Sequence, residues 1–498
     1  MVGHNISWNE RAPRMAMNTP VPSLIETKAF IGGKWTDAKS GAVFAVTNPA
    51  DGSKIAAVPD MDGADAALAI DAAARAFEPW SGMTPLARGD ILIEWGRLIA
   101  EQADALALLM TCEQGKPLAE ARGEILAAAG TLRWCAEEGR RLYGDFIEGA
   151  KKGTKILVSR HPAGVAAAIT PWNFPVGMIT RKVGPALAAG CTVVLKPAEA
   201  TPLCALALAR LAEQAGMPAG ALNIVTSQKA AEIGKVFTAD PRVAKISFTG
   251  STRVGKILMA QAAANIQKIS LELGGNAPFI VLPSADLEKA ADGAIASKFR
   301  NAGQTCICAN RIFVHKDVYQ PFRKIFNHKL KGLIVGPGWE ENVSIGPLIN
   351  KQAIEKIEKM ISSAAPSGAE IITGGNPHPL GGTFFEPTLI EGADDSAALF
   401  TEEIFGPVAV LYEFSDEDAL VRRANATPYG LAAYLYSQDM AQIWRLSDAL
   451  QYGMVGVNEP LLANDLAPFG GIKTSGIGKE GGKYGLLEFT NMKYRLFG

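Results

Sequence analysis

The chain predicts an α/β fold built on a parallel sheet covered on both faces, and three observations carry this. Short β-branched runs alternate with helical stretches five times between residues 165 and 271, a second alternating region extends from about 277 to 470, and residues 61–147 show helical periodicity. In order, Ala-rich segments at 64–77, 86–111 and 117–143 read as helices. The run 165–170 is an apolar strand, 176–189 a helix stopped by Gly190, and 192–195 a strand. Helix 202–215 ends at Gly216; strand 221–225, helix 229–238, strand 244–248, helix 252–263 and strand 267–271 follow. Continuous apolar strands joined by helices make a doubly wound parallel sheet. The second region carries strand-like runs at 277–282, 312–314 and 408–412. Two further runs, 155–159 and 491–497, have no partner nearby in sequence, which predicts pairing with another subunit.

At 498 residues and 48% hydrophobic content the chain can bury more than one core. We place a flexible leader at 1–25, a first domain at 26–143 and 161–271, a second at 272–471, and a small β element at 144–160 and 485–498. The balance of 49 basic against 50 acidic residues gives a net charge of -1, without the basic excess that nucleic-acid binding needs. No uninterrupted apolar run approaches the roughly 20 residues that span a bilayer. The first 20 residues mix Glu10, Arg11 and Arg14 with two prolines, unlike a signal peptide. The expectation is a cytoplasmic protein with no membrane or nucleic-acid partner. Six scattered cysteines and five histidines show neither a disulfide framework nor metal-ligand spacing, so no metal is expected.

Chemistry is concentrated in three short segments. Asn301-Ala302-Gly303-Gln304-Thr305-Cys306 sets a thiol among small and polar residues, Leu271-Glu272-Leu273-Gly274-Gly275 puts a carboxylate where a strand ends, and Pro171-Trp172-Asn173-Phe174-Pro175 holds a carboxamide in a proline-bracketed turn. Singly each is ordinary, since a lone Cys is usually core and a lone Glu or Asn usually solvated. Together they supply a nucleophile, a base and an oxyanion donor, the requirements of thiolate attack on a carbonyl followed by thioester hydrolysis. The fingerprint G-x-G-x-x-G is absent, so another device must hold a dinucleotide. Gly250 and Ser251 follow a strand and open a helix, which makes an anion site or a mere helix cap. Lys196 and Glu199 follow another strand, and a carboxylate there accepts ribose hydroxyls and repels a 2'-phosphate, favouring NAD over NADP.

With PWNFP, KPAE, FTGST, LELGG, GQTC, EEIFGP and PFGG in order, the chain from about residue 28 to its end resembles the NAD(P)-dependent aldehyde dehydrogenase superfamily. The resemblance implies a Rossmann-like cofactor domain, an α/β catalytic domain and a β oligomerisation element in a homodimer or homotetramer. It makes Cys306 the nucleophile, Glu272 the base and Asn173 the oxyanion donor beside the Cys306 backbone N–H. It assigns Thr170, Pro171, Trp172, Lys196, Glu199, Gly250, Ser251, Glu403 and Phe405 to the cofactor. The run from Ser297 to Asn310, with Arg181 and its neighbours, is similar to the succinate-semialdehyde dehydrogenase branch. That branch implies a substrate pocket with Arg181, Arg300, Phe174, Phe469 and the position of Ala463, the two arginines clamping a carboxylate. Ala463 stands where relatives carry Ser, and Asp465 would repel an anion if it faced inward, which leaves glutarate semialdehyde or a neutral aldehyde as alternative substrates. A CoA-acylating enzyme and a silent structural member are the rivals; the presence of Glu272 and Cys306 argues against both. Resemblance to animal relatives also suggests a reversible Cys306–Cys308 disulfide.

Overall fold

The computed structural model describes residues 19–498. Of the leader, residues 1–18 lie outside the described residues. The remainder of it is docked, because Leu24 and Ile25 pack against the core and Thr19 Oγ1 donates to Asp51 at 2.6 Å.

Two sheets organise the chain. The first has eight strands in the order Gly476–Ile477, Lys268–Glu272, Val243–Thr249, Val165–Ile169, Thr192–Lys196, Leu222–Ile224, Ala29–Ile31, Lys34–Thr36. The five central strands are parallel, as the alternating pattern requires, and antiparallel strands cap both edges. Successive side chains go to opposite faces: Ala166 and Ala168 join one core, Val165 and Ala167 the other. The chain winds outward from Val165–Ile169 in one direction and then restarts at Val243–Thr249 beside it. That reversal opens a crevice at the carboxyl ends of these two strands, where Thr170 to Asn173 and Gly250–Ser251 emerge.

The second sheet has seven strands in the order Glu370–Thr373, Thr388–Glu391, Val408–Phe414, Ala309–His315, Ala277–Val281, Ala432–Tyr436, Met454–Val457, all parallel but the first. Its own apolar core includes Phe279, Phe313, Phe326 and Tyr434. Cys306 lies in the loop that enters Ala309–His315, and Glu403 and Phe405 in the loop that enters Val408–Phe414.

Two expectations need correction. The stretch 86–111 is two helices, Pro85–Glu101 and Ala103–Gln114, broken at Gln102. The unpaired strands pair with each other within the chain: Thr490–Phe497 lies antiparallel to Lys155–Pro162 in full register, with Asp145–Glu148 on the other side. Residues 485–487 belong to the helix Gly482–Leu487, which packs on the helix Gly177–Ala189 ahead of the strand Thr490–Phe497. Among the described residues no helix is long and apolar enough to cross a membrane, and no His/Cys/Asp/Glu cluster could hold a metal ion.

Candidate active site

Two cavities meet at Cys306. One, of about 280 Å³, is lined by Pro171, Trp172, Asn173, Gly250, Ser251, Glu272, Gly274, Lys356, Glu403 and Phe405. The other, of about 530 Å³, is lined among others by Phe174, Arg181, Arg300, Tyr434, Ala463, Asp465 and Phe469. Cys306 and Met178 border both, so a molecule in either cavity reaches the thiol.

The loop that delivers the thiol is unusual backbone. Asn301, Ala302 and Gly303 all have φ near the left-handed value, at 51°, 55° and 74°. For Ala302 this costs about 1–2 kcal/mol, and Asn301, which tolerates it better, less, so surrounding bonds must hold the turn. They do: Asn301 N–H donates to Glu120 at 2.8 Å, Gln304 Nε2 to the Asn301 carbonyl at 3.1 Å, and Tyr434 OH to the Ile307 carbonyl at 2.7 Å. Burial pushes the Cys306 thiol up to about 12, reinforced by Glu403 and Glu272 and opposed by Arg181. Asn173 Nδ2 donates to the Gln304 carbonyl at 2.9 Å, which places a carboxamide against the nucleophile loop and leaves its second N–H for another acceptor. Cys308 is buried, its Sγ donating to the Lys298 carbonyl at 3.4 Å, and it borders neither cavity.

Glu272 ends its strand buried, and neither carboxylate oxygen has a hydrogen-bond partner. Desolvation first, then Glu480, hold its carboxyl well above the ordinary carboxylate range, against Lys182, Lys479 and Arg181. Space for it depends on Gly470, where a Cβ would stand 2.6 Å from Oε1. Lys182 and Glu480 form a buried ion pair beside it that sequence reading missed. Lys182 sits beside an apolar helical run, while Glu480 lies in a Gly/Lys stretch that gives no such signal and arrives through its backbone bridge to Phe469.

In the smaller cavity Phe405, itself at φ 58°, meets Trp172 edge to face at 5.7 Å. Glu403 accepts from Gly275 N–H at 3.0 Å, and burial raises it to about 7. Gly274 is required there, since a Cβ would approach Glu403 to 2.7 Å. Ser251 caps the helix Thr252–Ala262 by accepting from Val254 N–H, so the cap reading holds and the helix N-terminus still faces the cavity lined by Ser251. Thr170, Lys196 and Glu199 do not border this cavity. Thr170 is buried behind it with an unpartnered Oγ1, while Lys196 pairs with the half-exposed Glu199 at 3.2 Å, one strand over along the same sheet edge. An unpartnered Thr249 Oγ1, a helix N-terminus and an aromatic wall in one crevice fit a dinucleotide.

In the larger cavity no carboxylate of the described residues pairs with Arg181 or Arg300 within 4 Å. Arg181 leaves Nη1 buried without a partner and lies over the Phe469 ring at 4.4 Å, and Arg300 lies over Phe174 at 5.0 Å. Asp465 borders the cavity, but its Oδ1 accepts from Thr131 Oγ1 at 2.7 Å, which ties that oxygen to the wall. Ala463 borders it and offers no hydroxyl.

A thiol, a buried carboxylate and a carboxamide stand together where the two cavities meet, a set of groups that fits carbonyl chemistry. Residues 35–494 match the model of the aldehyde dehydrogenase family, and the chain belongs to that family. It is 51% identical to succinate-semialdehyde dehydrogenase [NADP(+)] GabD of Escherichia coli over 476 residues, 96% of this chain and 98% of that protein. It is 50% identical to glutarate-semialdehyde dehydrogenase of Pseudomonas aeruginosa over 475 residues, 95% and 98% of the two chains. The crystal structure of succinate-semialdehyde dehydrogenase from Burkholderia pseudomallei superposes with a TM-score of 0.94 at 50% identity, covering 97% of this chain and all of that one. The protein is thus a pyridine-nucleotide-dependent oxidoreductase acting on a small aldehyde.

Proposed function

We propose that the protein oxidises a short aldehyde bearing a terminal carboxylate, succinate semialdehyde first, to the corresponding acid. The observation that carries this is the pair of arginines without carboxylate partners in the wall of the cavity that opens on Cys306. A guanidinium with a buried nitrogen left unpartnered, as at Arg181, is costly, and a substrate carboxylate would supply the bidentate acceptor it lacks. Cys306 loses its proton to solvent in the cavity and attacks the aldehyde carbon as the thiolate, and the oxyanion is held by the free N–H of Asn173 and the Cys306 backbone N–H. A pyridine nucleotide held between Trp172, Glu403 and Phe405 would supply the hydride acceptor that conversion of this adduct to a thioester requires. Glu272 then takes a proton from water, which attacks the thioester and frees the acid and the thiol. Glu403 and Phe405 border the nicotinamide side of the crevice, and Lys196 and Glu199 hold the adenine-side ribose. The cofactor domain spans the first sheet, the catalytic domain the second, and the sheet of 145–162 and 490–497, with exposed edge residues such as Phe146 and Tyr494, joins subunits of a homo-oligomer.

Replacing Arg181 or Arg300 by Leu removes a charge-assisted bond worth about 1.5 to 3 kcal/mol, about a tenfold to hundredfold loss of kcat/KM. The loss is expected for succinate semialdehyde and not for a neutral aldehyde of equal length. Equal losses on both would make the arginines scaffold and withdraw the carboxylate reading. Ala463→Ser is expected to raise activity on succinate semialdehyde by restoring a donor.

For the carrier, Glu199 favours NAD, since a 2'-phosphate would stand against a carboxylate that keeps half its surface in solvent. The relative from Escherichia coli is named for NADP(+), the opposite preference. Steady-state kinetics are expected to give higher kcat/KM with NAD, with the gap narrowing in Glu199→Gln; NADP preferred by the wild type would reject this assignment.

A further inference from the structure

Lys116 is fully buried, and its Nζ makes three contacts. It pairs with the buried Glu124, donates to the backbone carbonyl of Asn173 at 2.8 Å, and stands 4.0 Å from the centre of the Phe174 ring. The same Asn173 carbonyl accepts a second bond, at 3.0 Å, from Asn301 Nδ2. Asn301 Oδ1 accepts from Gln114 Nε2 at 2.9 Å, and Gln114 Oε1 accepts from the Lys116 backbone N–H at 2.9 Å. These bonds close a ring through Lys116, Gln114, Asn301 and Asn173, all nine-tenths buried or more. Glu124 extends it, accepting from the N–H groups of Val176 and Gly177 at 3.0 and 2.9 Å, where the helix Gly177–Ala189 begins.

A buried Lys–Glu pair is a poor source of stability, because desolvating both charges offsets their attraction and an apolar pair of similar volume often does as well. What this pair does supply is orientation. Two donors on one carbonyl set the peptide plane after Asn173 and therefore the direction of its side chain, while Glu124 pins the turn three and four residues further on. The ring also joins that turn to the left-handed segment Asn301–Gly303, so the carboxamide and the thiol loop are placed by one network.

We infer that Lys116 is a positioning residue for catalysis, acting through Asn173 to hold its free N–H toward the oxyanion at Cys306. This rests on the oxyanion role proposed for Asn173 and is independent of which aldehyde is the substrate. A displacement of about 1 Å at such a donor costs on the order of 100-fold in rate.

The test is a double-mutant cycle of Lys116→Met with Asn173→Ala, read in kcat and in KM for aldehyde and nucleotide. Lys116→Met is expected to lower kcat about 100-fold with both KM values unchanged, and to add no further loss once Asn173 is Ala. Because Lys116→Met leaves Glu124 unpaired and can fail to fold, Lys116→Met with Glu124→Gln removes the charge pair as a unit, keeps an acceptor for Val176 and Gly177, and is expected to show the same pattern. If Asn173→Ala loses activity and Lys116→Met multiplies that loss, or if KM values rise in step with the fall in kcat, the positioning role is overturned. If Asn173→Ala keeps wild-type kcat, the oxyanion assignment falls, and this inference with it.

Discussion

Cys306→Ala is expected to abolish aldehyde oxidation, leaving nucleotide binding by fluorescence or calorimetry at the wild-type level. The nucleophile cannot be replaced by positioning, because no other thiol borders either cavity. Cys308→Ala should keep substantial activity, since its sulfur points to the Lys298 carbonyl instead. The environment adds a pH signature. With desolvation, Glu403 and Glu272 pushing the Cys306 thiol up to about 12, the enzyme without nucleotide holds a thiol at neutral pH and reacts slowly with iodoacetamide. Alkylation should accelerate as pH rises toward that value and be lost in Cys306→Ala. Fast, pH-independent alkylation at neutral pH would mean that the thiolate exists without ligands, and retained turnover in Cys306→Ala would remove the covalent mechanism. The same geometry bears on a Cys306–Cys308 disulfide: a bridge would require Cys308 to leave its buried place and the loop to open.

The parallel strands were legible because each is a short apolar run ended by Gly, Pro or a polar residue, and the three catalytic candidates because each interrupts such a pattern at a strand or turn end. Their convergence follows from topology: Asn173 and Glu272 emerge at the carboxyl ends of strands of the first sheet, and Cys306 comes to them on the loop that enters Ala309–His315 of the second. Other features left no local trace. The helix break at Gln102 carries neither Gly nor Pro. The left-handed turn includes Ala302, a residue that rarely adopts it, and what stabilises it lies far away in sequence, at Gln114 and Glu120. The pairing of Lys155–Pro162 with Thr490–Phe497 joins segments more than 300 residues apart, which no periodicity reports. Asp465 illustrates the limit on charge arguments, because its effect on an anion depends on a bond to Thr131 formed across the fold.

Glu272→Gln is expected to lower kcat by roughly 100- to 10,000-fold, the range for removing a general base, while a burst of about one reduced nucleotide per site survives. Acylation needs the thiol and the oxyanion donors; hydrolysis of the thioester needs the base. Wild-type kcat should fall on the acid side with an apparent pKa above the ordinary carboxylate range, because burial and Glu480 disfavour the ionised form, and that limb should vanish in the variant. The same shift predicts a stability effect of opposite sign. A carboxyl whose folded pKa is raised contributes stability that is fully present below its unfolded pKa and is lost as pH rises through the folded one. Gln cannot ionise, so the Tm of Glu272→Gln relative to wild type should climb as pH increases through that region. A variant that keeps wild-type kcat would reject Glu272 as the base. A Tm difference flat in pH would mean that Glu272 is already ionised and solvated in the folded protein, contrary to two carboxylate oxygens buried without a partner. Holding a base in this costly state is what lets it take a proton from water near neutral pH, where a carboxylate of ordinary pKa would be too weak to do so.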